Sequence, residues 1–237
     1  PQDEAERGLY EYISEYERGN AERAEQLVSE ALSKPGLGHK YGKLYNDRGY
    51  ISYGQGKFDS AKKDFDKALD FHYEHLQLTL LNLSVAEIDG GSYESAIQRI
   101  EDTLFVTHGR ESVEASFLRL RLLPGHLYVA KSEKWEQHPA DVLEASYINL
   151  AYALSRLSGT SAAMDALKEG LELMPSSPRL KHALARLHLS RRRADLADLL
   201  YRELSQTPIT DQGLKREIHH YLSQTGRKKK RARRRMN

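Results

Sequence analysis

Cysteine is absent from the 237 residues, which excludes disulfides and thiolate metal sites and leaves the compartment open. Long apolar runs are absent too. Nowhere do about 18 apolar residues follow one another, so no segment is suited to span a bilayer as a helix. Hydrophobic residues make up 39% and charged residues 30%, less apolar and more charged than an average globular domain. That balance suits a thin array of helices with much surface better than one deep core. Recognisable catalytic signatures are missing as well: no glycine-rich phosphate loop, no nucleophile elbow, no zinc signature, no dinucleotide fingerprint. The expectation is a noncatalytic protein with no cofactor and no metal. His72 and His75 flank Glu74, and His219 and His220 are adjacent, but a metal site takes three or four ligands and no second cluster accompanies either pair. The chain opens on Pro1 rather than methionine, so a trimmed N-terminus is expected and the lack of a leader carries no weight. A cytoplasmic location is the default, with the nucleus as the eukaryotic variant.

What is present is periodicity. The stretch from Gly49 to Ala61, continued by Phe65, Ala68 and Leu69, reads as a helix, a tight turn at Gly56-Lys57, and a second helix folded back on the first. Small residues at Gly49, Ala61 and Ala68 stand where two backbones would meet, with Tyr45, Phe58 and Phe65 as the bulk around them. Ala24, Ala61, Ala96, Ala130, Ala163 and Ala197 recur at spacings of 37, 35, 34, 33 and 34. A period kept this closely is what stacked repeats require.

These features resemble the tetratricopeptide repeat, a 34-residue helix–turn–helix unit. The resemblance implies an all-α fold: a right-handed α-solenoid of antiparallel helix pairs with a C-terminal capping helix. Repeats are expected at about 5–38, 42–75, 77–110, 111–143, 144–177 and 178–209, a capping helix at about 211–225, and a disordered basic tail at 227–237. Within them, Gly19-Asn20 and Gly91 mark turns, Pro35, Pro175 and Pro208 close units, and Asp211 caps the last helix, which Gly226 ends. The fourth repeat is irregular: Ser116 to Leu123 reads as a helix broken at Pro124-Gly125, and Leu127 to His138 keeps Ala130 but puts Lys134 at an apolar position beside Trp135. The fifth starts early, with Asp141 as N-cap.

In that family the first helices line a concave groove that holds a peptide or helix of a partner. The groove positions fall on Lys43, Asn46, Tyr50 and Tyr53 in repeat two, and on Leu78, Leu81, Asn82 and Val85 in repeat three. In repeat five they fall on Ile148, Asn149, Tyr152 and Arg156, and in repeat six on Arg179, His182 and Arg186. The middle is apolar and aromatic and the far end basic, which fits a protein partner apolar in its middle and acidic at one end. The competing reading is that the tyrosines pack between neighbouring repeats. The chaperone-tail clamp known in the family is not matched: only Asn82 falls into place, while Asn46, Tyr50, Val113 and Phe117 stand where its other polar groups belong.

The net charge of +2 conceals an asymmetry. Arg227, Lys228, Lys229, Lys230, Arg231, Arg233, Arg234 and Arg235 are eight cations without an acid among them, which leaves −6 for residues 1–226. Such a tail suits phosphates of nucleic acid or the ribosome, an anionic membrane surface or a nuclear import signal; a merely solvating tail is the plain alternative. Two functions stand open: a scaffold or adaptor for a protein segment, and a nucleic-acid-associated protein that uses the tail.

Overall fold

A computed structural model describes the backbone of residues 11–38, 40–71, 76–108, 113–116, 119–120, 128–129, 134–137 and 139–236, and the side chains of these except 106–141 and 227–236. The chain divides into two compact units, 1–157 and 158–237.

The first unit opens with α1 (Glu11–Glu17) and α2 (Ala21–Leu32), followed by α3 (Lys40–Gly54) and α4 (Phe58–Asp70). Then come α5 (Leu76–Asp89) and α6 (Tyr93–His108), and it closes with α7 (Pro139–Leu157). Each helix packs on the next, and α5 also meets α7. The recurrent alanines explain the closeness: Ala24, Ala61 and Ala96 are completely buried on the second helix of each pair, where a larger side chain would hold the helices apart. Gly49 does the same from the first helix, and Phe65, fully buried, fills the space beside it. Burying a ring of that size stabilises by roughly 1.5–3 kcal/mol. Polar side chains tie the helices together as well. Arg48 Nε donates to Asp64 Oδ2 at 2.8 Å and Nη2 to Oδ1 at 2.6 Å, a two-point clasp between α3 and α4.

The turns share one backbone device. Gly19, Gly56 and Gly91 adopt φ of 87°, 75° and 81°. The following amides reach back five residues: Asn20 to the Glu15 carbonyl at 2.9 Å, Lys57 to Ser52 at 2.9 Å, and Ser92 to Glu87 at 2.7 Å. This pattern closes a helix C-terminus and satisfies its last carbonyls. In the second unit the same device ends α9, with Arg193 reaching His188 at 2.9 Å, but Arg192 stands in the glycine position at φ 59°.

The second unit consists of α8 (Thr160–Leu173), α9 (Pro178–Ser190), α10 (Ala194–Gln206) and α11 (Gln212–Met236). Ala163 and Ala197 are again completely buried. The Ser177 side chain caps α9 by accepting from the Leu180 amide at 3.1 Å, with Pro178 at the first helical position. Asp211 Oδ1 caps α11 by accepting from the amides of Gly213 and Leu214 at 2.8 and 3.1 Å. Leu214 and Ile218 are buried against Ala197, Tyr201 and Leu204, with Tyr221 and Leu222 packed alongside.

Three expectations are corrected. The fourth repeat is not a helix pair: Val113–Ser116 (β1) pairs antiparallel with Lys134–Gln137 (β4), and Arg119–Leu120 (β2) with Tyr128–Val129 (β3). Val113, Tyr128, Val129 and Trp135 are strand-favouring residues, and they outweigh the repeat register there. Ala130 and His72 and His75 lie outside the described residues. The fifth repeat's first helix begins at Pro139, not at Asp141, because proline suits the first helical position. The basic tail is not a disordered coil: α11 passes through Gly226 and continues to Met236. Lys, Arg and Ala are good helix formers, and cations near a helix C-terminus complement its dipole.

Candidate protein-binding surface

The expected groove positions separate into those spent inside each unit and those still facing outward. On α3, Lys43 Nζ lies 2.7 Å from Asp47 Oδ2 and 3.2 Å from the Tyr12 hydroxyl, which itself donates to Asp47. Asn46 is completely buried, and its Oδ1 accepts from Asn82 Nδ2 at 3.2 Å and Thr79 Oγ1 at 3.3 Å. Tyr50 is buried with its ring edge-on to Tyr16 at 5.6 Å and against Val85. Tyr53 is half-buried, donates to Asp89 and tilts onto Phe58 at 5.5 Å. Burial, reinforced by Asp89, pushes its phenol well above the usual range.

Helix α5 buries every residue from Gln77 to Ile88. Leu78, Leu81, Asn82 and Val85 are therefore core, not partner contacts, and β3 lies against α3 nearby. A helix that leaves no face exposed, its polar Gln77, Thr79, Asn82, Ser84 and Glu87 included, is enclosed on all sides. On α7, Ile148 and Asn149 are buried and the Asn149 Nδ2 reaches no acceptor, whereas Tyr152 and Arg156 face outward. Arg156 Nε points to the Tyr93 hydroxyl at 3.4 Å, with its guanidinium 5.9 Å from the Tyr93 ring centre. The aromatic groove expectation is thus corrected at Asn46, Tyr50, Leu78, Leu81, Asn82, Val85, Ile148 and Asn149: the alternative of packing between repeats holds for Tyr50. Lys43, Tyr53, Tyr152 and Arg156 keep partial or full exposure. Tyr93, half-buried at the start of α6, adjoins this group; the sequence marks it with Gly91 as part of a turn, not as a surface contact.

In the second unit the three basic-end residues have different surroundings. Arg179 lies 3.6 Å from Asp211. His182 is buried, edge-on to Tyr201 at 5.7 Å, with Nε2 3.1 Å from Glu217 Oε2. Burial holds its imidazole below the usual histidine range; Arg186 pushes the same way and Glu217 opposes. This correction removes His182 from the exposed set. Arg186 is exposed and lines a cleft between α9 and α11 together with Tyr201, Arg216, Glu217 and His220. Arg216 and His220 were missed as partners of Arg186; their spacing of four on one helix, the signal for a shared face, was legible. Tyr201 stacks on Tyr221 at 4.1 Å, and Tyr221 donates to Asp198 at 2.7 Å.

The eight tail cations Arg227, Lys228, Lys229, Lys230, Arg231, Arg233, Arg234 and Arg235 all fall on the helical backbone of α11. Among the described residues no three His, Asp or Glu side chains converge as a metal site, and no helix is long and apolar enough to cross a membrane.

No family model matches the chain, and no curated protein does. Solved structures do. MamA residues 41 to the end, from Desulfovibrio magneticus RS-1, is 14% identical, covering 82% of this chain and 89% of that one, with a TM-score of 0.58. A thermophilic TPR protein of Thermus thermophilus is 17% identical over 92% of this chain and 98% of its own, with a TM-score of 0.55. A chain of the APC/C hetero-tetramer Cut9-Hcn1 is 17% identical over 88% of this chain and 34% of its own, with a TM-score of 0.55. Together with the helix pairs and their turns, these likenesses identify the fold as that of the tetratricopeptide-repeat solenoids.

Proposed function

We propose that this array of tetratricopeptide fold is a noncatalytic scaffold or adaptor that holds a peptide or helix of a protein partner. One observation carries the reading: after packing has consumed most of the first-helix side chains, the groove positions that keep partial or full exposure are tyrosines and cations, namely Lys43, Tyr53, Tyr152 and Arg156 in the first unit and Arg179 and Arg186 in the second. Tyrosine supplies contact area at low entropic cost and arginine grips carboxylates. A partner with apolar and acidic stretches suits that set. The hetero-tetramer among the structural likenesses is an instance of this fold inside an assembly. Affinity capture with mass spectrometry, comparing the chain with its R156E/R186E variant, tests the reading. Loss of specific partners from the variant supports it, and unchanged recovery counts against it.

A second reading rests on the tail. Eight cations with no acid run along the last turns of α11, and such an array suits phosphates. If all eight engage a B-DNA duplex, the logarithm of the binding constant falls against that of salt with a slope of about −7. Deletion of residues 227–237 should abolish retention on a duplex at low salt; a full chain that shows none to begin with ends this reading.

A further inference from the structure

We propose that the cleft between α9 and α11 is a carboxylate-binding subsite for acidic side chains of a peptide. It deepens the scaffold reading and rests on it for the partner's identity, though not for the binding itself. Arg186 projects from α9 and Arg216 from α11, so two guanidinium groups border one cleft of about 730 Å³ that is open to solvent. Neither forms an ion pair with a described residue. Arg216 spends its Nε on the Gln212 carbonyl at 3.2 Å, and its two terminal nitrogens remain. The acid lining this cleft, Glu217, already faces the buried His182 at 3.1 Å. Glu217 is thus turned toward the α9 histidine, and the arginines have no acid of the cleft paired with them.

The remaining walls fit the same ligand. Tyr201, 3% exposed and stacked on Tyr221, closes the bottom of the cleft, where its accessible edge can meet the methylene stem of a glutamate. His220 stands one turn beyond Arg216 on α11, its Nε2 2.8 Å from Gln224 Nε2. Some other cations of this unit have acids close by, Arg179 with Asp211, Lys181 with Glu203 and Arg193 with Asp195, whereas Arg191, Arg192, Arg202 and Lys215 form no ion pair with a described residue. What sets Arg186 and Arg216 apart is that they line the same cleft from two different helices. Paired planar forks of this kind recognise carboxylates bidentately, which a single surface lysine does not. An open cleft, in place of an enclosed cavity, calls for a side chain of a larger molecule.

The probe is an N-acetylated, C-amidated tetraglutamate peptide titrated into the 237-residue chain and followed by amide chemical shifts. The expected result is saturable shifts on α9 and α11 around Arg186 and Arg216, and binding about tenfold weaker in each of R186Q and R216Q, as loss of one charge-assisted contact implies. A tetraglutamine peptide should leave the spectrum unchanged. The inference is overturned if the shifts are confined to residues 227–237, if R186Q/R216Q binds as tightly as the parent, or if no shift occurs. Inorganic phosphate is the discriminating arm: the same shifts at lower concentration than tetraglutamate would make the cleft a phosphate site and overturn the carboxylate assignment. Melting curves of both variants separate loss of binding from loss of fold. Failure of partner capture together with tetraglutamate binding would sink the scaffold reading alone; partner capture untouched by R186Q/R216Q would sink the cleft alone.

Discussion

Gly49 and Phe65 are in such close contact that a Cβ on Gly49 would stand 2.8 Å from the ring's Cε1, with the Ala61 carbonyl oxygen at 3.1 Å on the same side. The ring is completely buried and the carbonyl belongs to the helix backbone, so neither can yield without moving its neighbours. Gly49→Ala should therefore destabilise the first unit by roughly 1–3 kcal/mol despite the better helix propensity of alanine. Urea unfolding followed by circular dichroism checks it; a gain in stability would show that α3 and α4 are farther apart than described.

The reverse outcome is expected at Arg192. It holds φ 59° where the comparable turns have glycine, and a left-handed non-glycine residue costs about 1–2 kcal/mol. Arg192→Gly should stabilise the second unit by about 1 kcal/mol after the entropic cost of glycine is set against it. An upward shift of the urea midpoint with unchanged slope is the signature.

Asp64 and Arg48 form the clasp between α3 and α4, with side chains 7% and 22% exposed. Removing one partner leaves the other charge poorly solvated. Asp64→Ala should cost about 3 kcal/mol, and a double-mutant cycle with Arg48→Ala should return a coupling of about 1–2 kcal/mol. A coupling near zero would reduce the clasp to incidental contact.

His182 gives the fold a pH dependence. Its folded-state proton affinity lies below the ordinary value of 6.5, chiefly through burial. In the window just below pH 6.5 the unfolded chain binds more protons than the folded one, so stability declines as pH falls through it. His188 is shifted in the same direction, again chiefly by burial. His182→Gln should flatten, without abolishing, the loss of stability between about pH 6.5 and 5. Thermal melts across that range measure it, and a slope identical to the parent's would refute the assignment.

Much of this architecture was legible before any coordinates. Alanine at a near-constant spacing marks helix contacts because only a small residue fits there, and Ala24, Ala61, Ala96, Ala163 and Ala197 are all completely buried. Gly19, Gly56 and Gly91 announced turns because their backbone conformation suits glycine. Asp211 announced a cap by its side-chain chemistry. Other features were hidden for equally physical reasons. The tail was read from charge, which speaks of solvation, whereas its helical backbone follows from propensity. Projection onto a groove treats each first helix as having one wet face; Gln77 to Ile88 has none, so its polar residues Asn82 and Thr79 bond to Asn46 instead of a partner. The Arg186 cleft needed the fold, because α11 supplies Arg216 and His220 from about thirty residues downstream.

The enclosure of α5 also limits how such an array can be rebuilt. A generic repeat transplanted into this slot would bring a solvent-loving stripe and drive charges in among Leu78, Leu83 and Ile88. Exchange of whole helix pairs therefore has natural seams at the glycine corners, while the α5 slot behaves as a bespoke keystone that has to travel together with its neighbours.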